Sequence, residues 1–133
     1  AKRLADPDSV VFLGRVDEAQ RELLLSSAVA LVYPSLFEGF GLPPLEAMSR
    51  GTPVVAARAT SIPEVVGDGG LLVDPLNTAE LAEALISVAT DPVLASDLAE
   101  RGRRRAASFS VEATGEALRA SFAAAIDLGE RAD

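Results

Sequence analysis

Val29-Ala30-Leu31-Val32-Tyr33-Pro34-Ser35-Leu36-Phe37-Glu38-Gly39-Phe40-Gly41-Leu42-Pro43-Pro44-Leu45-Glu46-Ala47-Met48-Ser49-Arg50-Gly51-Thr52-Pro53-Val54-Val55-Ala56-Ala57 is the stretch whose reading decides the fold. It opens on a valine-rich run that Pro34 stops and closes on a second such run, residues 53–57. Neither run alternates apolar with polar, so each reads as a short strand covered on both faces. Between them a glycine turn leads into a helix. Pro43 or Pro44 suits its first turn, and Gly51 is a natural residue to end it. Strand, helix, strand with continuous apolar strands predicts a parallel α/β sheet.

The flanks extend that pattern. Upstream, Val10-Val11-Phe12-Leu13 reads as another buried strand ending at Gly14. Asp17 and Gln20 then form a capping-box pattern, with Leu23, Leu24 and Ala28 as the apolar face of a short helix. Downstream, Pro63 opens a helical turn that ends at Gly67, and Gly69-Gly70 leads into a strand at Leu71-Leu72-Val73. Asn77 and Glu80 suggest a second capping box, followed by Leu81, Leu85, Ile86 and Ala89 on one face. Asp91-Pro92 starts the next helix, with Leu94 and Leu98 inward. Ser110 caps the last, whose stripe is Leu118, Phe122, Ala125 and Ile126. The expected fold is one α/β domain of about four parallel strands flanked by helices.

Composition narrows the function. The chain has 133 residues, 49% of them hydrophobic, enough for one domain with a real core. A net charge of −8 argues against general nucleic-acid binding, because nothing would neutralise a phosphate backbone over a broad surface. There is no cysteine and no histidine, which excludes disulfides, thiol nucleophiles, imidazole bases and Cys/His zinc sites. No apolar run is long enough to span a bilayer. The first residue is Ala1, so a piece of a longer protein is expected.

The chemistry concentrates at Glu38 and Glu46. In open parallel sheets ligands bind beyond the C-terminal ends of the strands, and Glu38 lies just past one of them. Gly39 and Gly41 let backbone approach a ligand without Cβ obstruction. A helix beginning near Pro43 puts Glu46 in its first turn, beside N–H groups that attract anions. Phosphate-attracting N–H groups with hydroxyl-accepting carboxylates suit a sugar nucleotide. The same residues equally suit a plain strand-to-helix turn with an acid against the helix dipole. Other candidates read blandly. Asp6-Pro7-Asp8 matches a bare metal-binding spacing but fits a solvated turn. Arg101, Arg103, Arg104 and Arg105 could meet anionic lipid, yet fit a charge-balanced helix face better. Glu64 reads as second-line support for the site or a helix-start acid, and Arg58 as a crevice or a surface residue.

Residues 33–48 resemble the Glu-x7-Glu signature of retaining GT-B glycosyltransferases, most closely family GT4. The resemblance continues through Gly51-Thr52-Pro53-Val54-Val55-Ala56, Ile62-Pro63-Glu64-Val65-Val66 and Gly70-Leu71-Leu72-Val73-Asp74-Pro75, with Phe12-Leu13-Gly14-Arg15-Val16 upstream. It implies a partial C-terminal, Rossmann-like donor domain. Glu38 would hold the donor sugar and is the candidate for stabilising positive charge at the anomeric carbon. Backbone N–H groups of Gly39, Phe40, Gly41 and Leu42 would bind sugar and phosphates, Glu46 the ribose, and backbone at Arg15 and Val16 would border the base. No metal or other cofactor is implied. The acceptor domain, two preceding strands and a basic clamp on the pyrophosphate lie in family regions this sequence does not match, so the chain alone is expected to be inactive. The missing strands leave room for a strand-exchanged homodimer. The whole enzyme is expected in the cytoplasm, with peripheral membrane contact open to it. A related GT-B sugar-nucleotide epimerase is disfavoured by the Glu-x7-Glu pattern, and an inactive GT-B-like binding module is the alternative.

Overall fold

Three parallel strands form in the computed structural model, which describes residues 9–130. In chain order the elements are α1 (Glu18–Ser27), β1 (Leu31–Tyr33), α2 (Leu42–Arg50), β2 (Val54–Ala57), α3 (Ile62–Val66), β3 (Leu71–Val73), α4 (Thr78–Thr90), α5 (Pro92–Ala107) and α6 (Val111–Glu130). The sheet order is β1-β2-β3, with Val32 opposite Val55 and Ala56 opposite Leu72.

The central strand shows why a continuous apolar run is needed. All four residues of β2 are buried. Successive side chains leave opposite faces of a strand. Val54 and Ala56 accordingly join Met48, Ile62 and Val66 on one face, while Val55 joins Val73, Val88 and Leu98 on the other. The helix α5 reaches both, with Leu98 in the second cluster and Gly102 against Met48. The backbone packs closely at Gly70 too: a Cβ there would sit 2.8 Å from the Val54 carbonyl oxygen.

Local signals set the helix ends. Asp17 and Gln20 form the full capping box on α1, with Gln20 N–H donating to Asp17 at 2.8 Å and Asp17 N–H to Gln20 at 3.0 Å. Gly51 ends α2 in the left-handed region at φ +77°. Asn77 accepts from the Glu80 N–H, but the Glu80 carboxylate turns to the Asp74 N–H at 3.0 Å and to Arg58 at 3.2 Å, so that box is only half made. Arg58 also donates to the Leu72 carbonyl, which makes it a tie between β2 and β3 rather than a crevice residue.

Several expectations fail where a partner is needed. Residues 10–13 form no strand, and Phe12 is 92% exposed. A strand needs a neighbour for its backbone N–H and C=O groups. None pairs with residues 10–13 among the described residues, so the sheet has three strands, not four. On α1, Leu23 and Leu24 are exposed and Leu25 packs against the core instead. On α4, Ala84 and Val88 face inward with Leu81 and Leu85, while Ile86 and Ala89 face solvent. The stripe Leu118, Phe122, Ala125 and Ile126 of α6 is exposed throughout. Asp6-Pro7-Asp8 lies outside the described residues.

Candidate functional site

The loop from β1 to α2 carries the site. Gly41 precedes the first turn of α2 in the left-handed region, at φ +109°, a conformation that costs glycine little. The helix starts at Leu42, so Glu46 falls beyond the first turn, not within it as the sequence suggested. Pro43 and Pro44 carry no N–H, so this helix start offers an anion only the Leu42 amide. The loop supplies the rest. Among the described residues, the N–H groups of Gly39, Phe40, Gly41 and Leu42 have no protein acceptor.

Glu38 and Glu46 border one crevice of 410 Å³, together with Arg21, Tyr33 and Gly41. Phe40 and Leu42 line it too. Gly39 lies instead on a neighbouring crevice of 590 Å³ that shares Phe40 and adds Ser61, Glu64 and Arg105. Arg15 and Val16 line a third crevice, at the start of α1 beside Asp17 and Gln20. The structure thus brings together the two carboxylates and most of the loop, while the pair assigned to the base sits apart at the head of α1.

Two partners of the carboxylates escaped sequence reading. Tyr33, the last residue of β1, donates its hydroxyl to Glu38 Oε1 at 2.5 Å. That bond holds the Glu38 carboxyl below the usual range, with Ser35 acting in the same direction. Burial, reinforced by the Glu38 carboxylate, pushes the Tyr33 phenol up to about 12. At neutral pH the pair is therefore a phenol donating to a carboxylate. Arg21 on α1 reaches Glu46 at 3.1 Å and Glu18 at 2.7 Å. The only signal for Arg21 was its place one helical turn after Glu18, which says nothing of α2. Arg50 fastens the same two helices, pairing with Glu22 and donating to the Glu46 carbonyl at 2.7 Å.

Three of the four clustered arginines of α5 are held by their neighbours. Arg101 pairs with Asp97 at 2.7 Å and Arg104 with Glu100 at 2.6 Å, each one turn away. Arg105 donates to the carbonyls of Val65 and Glu64 and lies 4.9 Å over the Phe109 ring.

Residues 1–105 match the family described as glycosyl transferases group 1. The chain belongs to that family. Among the relatives of this glycosyl transferase chain, an O-antigen chain mannosyltransferase B of Escherichia coli is 43% identical over 76% of the chain and 26% of its own length. A D-inositol 3-phosphate glycosyltransferase of Actinosynnema mirum is 38% identical over 96% of the chain and 31% of its own length. The solved sucrose-phosphate synthase of Thermosynechococcus elongatus superposes with a TM-score of 0.75 at 36% identity, over 89% of the chain and 31% of that protein. The chain spans about a quarter to a third of these proteins. The parallel α/β architecture is that of the GT-B glycosyl transferases. Among the described residues no helix is long and apolar enough to cross a membrane, and no cluster of acids has metal-binding geometry.

Proposed function

We propose that this chain is the donor side of a retaining glycosyl transferase and holds a nucleotide-diphosphate sugar for transfer of a hexosyl group to an acceptor. One observation carries the reading. Two carboxylates and the backbone N–H groups of Phe40, Gly41 and Leu42, which have no protein acceptor among the described residues, border a crevice beyond the C-terminal end of a parallel strand.

Each part has a matching task. Glu38, kept ionised by Tyr33, accepts hydrogen bonds from the sugar hydroxyls and stabilises positive charge growing at the anomeric carbon. The N–H groups of Gly39, Phe40, Gly41 and Leu42 take the diphosphate, whose charge grows as the bond to the sugar breaks. Glu46 accepts from the ribose diol, and its ion pair with Arg21 fixes where the carboxylate stands. Backbone at Arg15 and Val16, on the separate crevice at the head of α1, borders the base. The step needs no metal in this reading. Arg21 is the only cation on the crevice among the described residues and is already shared by two acids. The chain alone therefore binds donor without turning it over, and the rest of a longer enzyme supplies the acceptor site and further cations.

The test is calorimetric binding of nucleotide-diphosphate sugars to the wild type, Glu38→Ala and Glu46→Gln. Each variant should lose about tenfold in affinity, roughly one charged hydrogen bond's worth. Wild-type protein that binds none of a broad panel, or variants that bind as well as wild type, would refute the assignment.

A further inference from the structure

We propose that Thr60 and Ser61 act as a clamp that fixes the polarity of the Glu38 loop, so that it offers N–H groups and withholds carbonyl oxygens. The inference rests on the donor-binding reading above and goes beyond it, to two residues between β2 and α3.

Three hydrogen bonds make the clamp. Thr60 Oγ1 accepts from the Glu38 N–H at 3.2 Å. The Ser61 hydroxyl points its single proton between two acceptors, the carbonyls of Glu38 and Phe40, each at 3.0 Å. These bonds occupy two of the loop's carbonyl oxygens and one amide. The amides left without a protein partner among the described residues are those of Gly39, Phe40, Gly41 and Leu42. A loop of that polarity attracts phosphate oxygens and repels nothing on them. Were the peptides at Glu38 or Phe40 free to turn over, carbonyl oxygens would face the same ligand.

The clamp is held at a cost in backbone conformation. Thr60 is the one non-glycine residue with positive φ among the described residues, at +49°. A β-branched residue there is a real outlier. Such strain persists only where its surroundings over-determine it, and it collects at functional sites. The surroundings are visible. The Ile62 N–H donates to the Ala59 carbonyl at 3.2 Å, and Ser61 accepts from Glu64 and Val65 at 3.1 and 3.2 Å. Thr60 and Ser61 are thus positioning residues, which act through the loop.

The experiment compares uridine and guanosine diphosphates with the corresponding uncharged nucleosides, by ligand-observed NMR on the full chain. Ser61→Ala should weaken diphosphate binding about tenfold and leave nucleoside binding within about twofold, since Glu46 is untouched. Ser61→Thr keeps the hydroxyl and should restore the diphosphate affinity. Thr60→Gly relieves the strained φ, so Tm should hold or rise while diphosphate binding still falls. Equal losses for both ligand classes, or no loss, would overturn the clamp. A second readout needs no ligand. Loosening the loop in Ser61→Ala should draw the ionisation midpoint of Tyr33 down from about 12. If wild-type protein binds no diphosphate, the donor reading fails, and the Tyr33 midpoint alone then decides the clamp. A midpoint unmoved by Ser61→Ala would sink it.

Discussion

Tyr33 is the only tyrosine in a chain without tryptophan, so its ionisation can be read directly from the ultraviolet band of tyrosinate. In the folded chain the phenol is moved from the ordinary 10.0 to about 12, first by burial and then by its bond to the Glu38 carboxylate. At pH 11 an ordinary tyrosine is about nine-tenths ionised, whereas one titrating near 12 is about one-tenth ionised. Titration of the native protein should therefore give a late midpoint, and titration in strong urea should return it to the ordinary value. Glu38→Ala removes the acceptor and its charge but not the burial. Its midpoint should fall only part of the way, because burial is the larger cause. The sign for stability follows from the raised value. The neutral phenol favours the fold fully below the unfolded pKa of about 10, and that contribution is lost as pH rises through about 12. A native midpoint near 10, with circular dichroism showing the fold intact, would refute the Tyr33–Glu38 arrangement and with it the ionised, oriented Glu38 of the proposed site.

Three further outcomes are expected. Gly70→Ala would push a Cβ to 2.8 Å from the Val54 carbonyl oxygen, and it should destabilise by about 1–3 kcal/mol in urea titrations. Leu98→Ala, in a fully buried position, should cost about 2–5 kcal/mol, whereas Phe122→Ala on the exposed face of α6 should change stability by under about 0.5 kcal/mol in the same assay. The folded-state pKa values of Glu38 and Glu22 are lowered, by Tyr33 and Arg50 respectively. Their contributions are present above the ordinary carboxylate pKa and lost as pH falls through the lowered values, so Tm should decline in acid, and less steeply in Arg50→Met.

The sequence alone determined the elements whose causes are local. Pro34 stops β1, Gly51 ends α2 because it adopts positive φ, Asp17 and Gln20 cap α1, and the unbroken run of residues 54–57 demands cover on both faces. It also located Glu38 in the strand-to-helix loop and Glu46 on the helix that follows, since strand, loop and helix are continuous in the chain. Tertiary structure decided what depends on neighbours distant in the chain. An apolar stripe says that a helix face wants cover but not whether cover exists, which is why residues 10–13 and the α6 stripe read as buried and stand exposed. In the same way, Arg21 meets Glu46 only because α1 lies along α2, and Tyr33 meets Glu38 only because the loop folds back. Thr60 and Ser61, more than twenty residues from the loop they hold, carry no pattern in sequence that announces the contact. Periodicity and capping are written in near neighbours along the chain. Pairing of polar groups across the fold is set by the packing of helices and sheet, and only the tertiary structure fixes it.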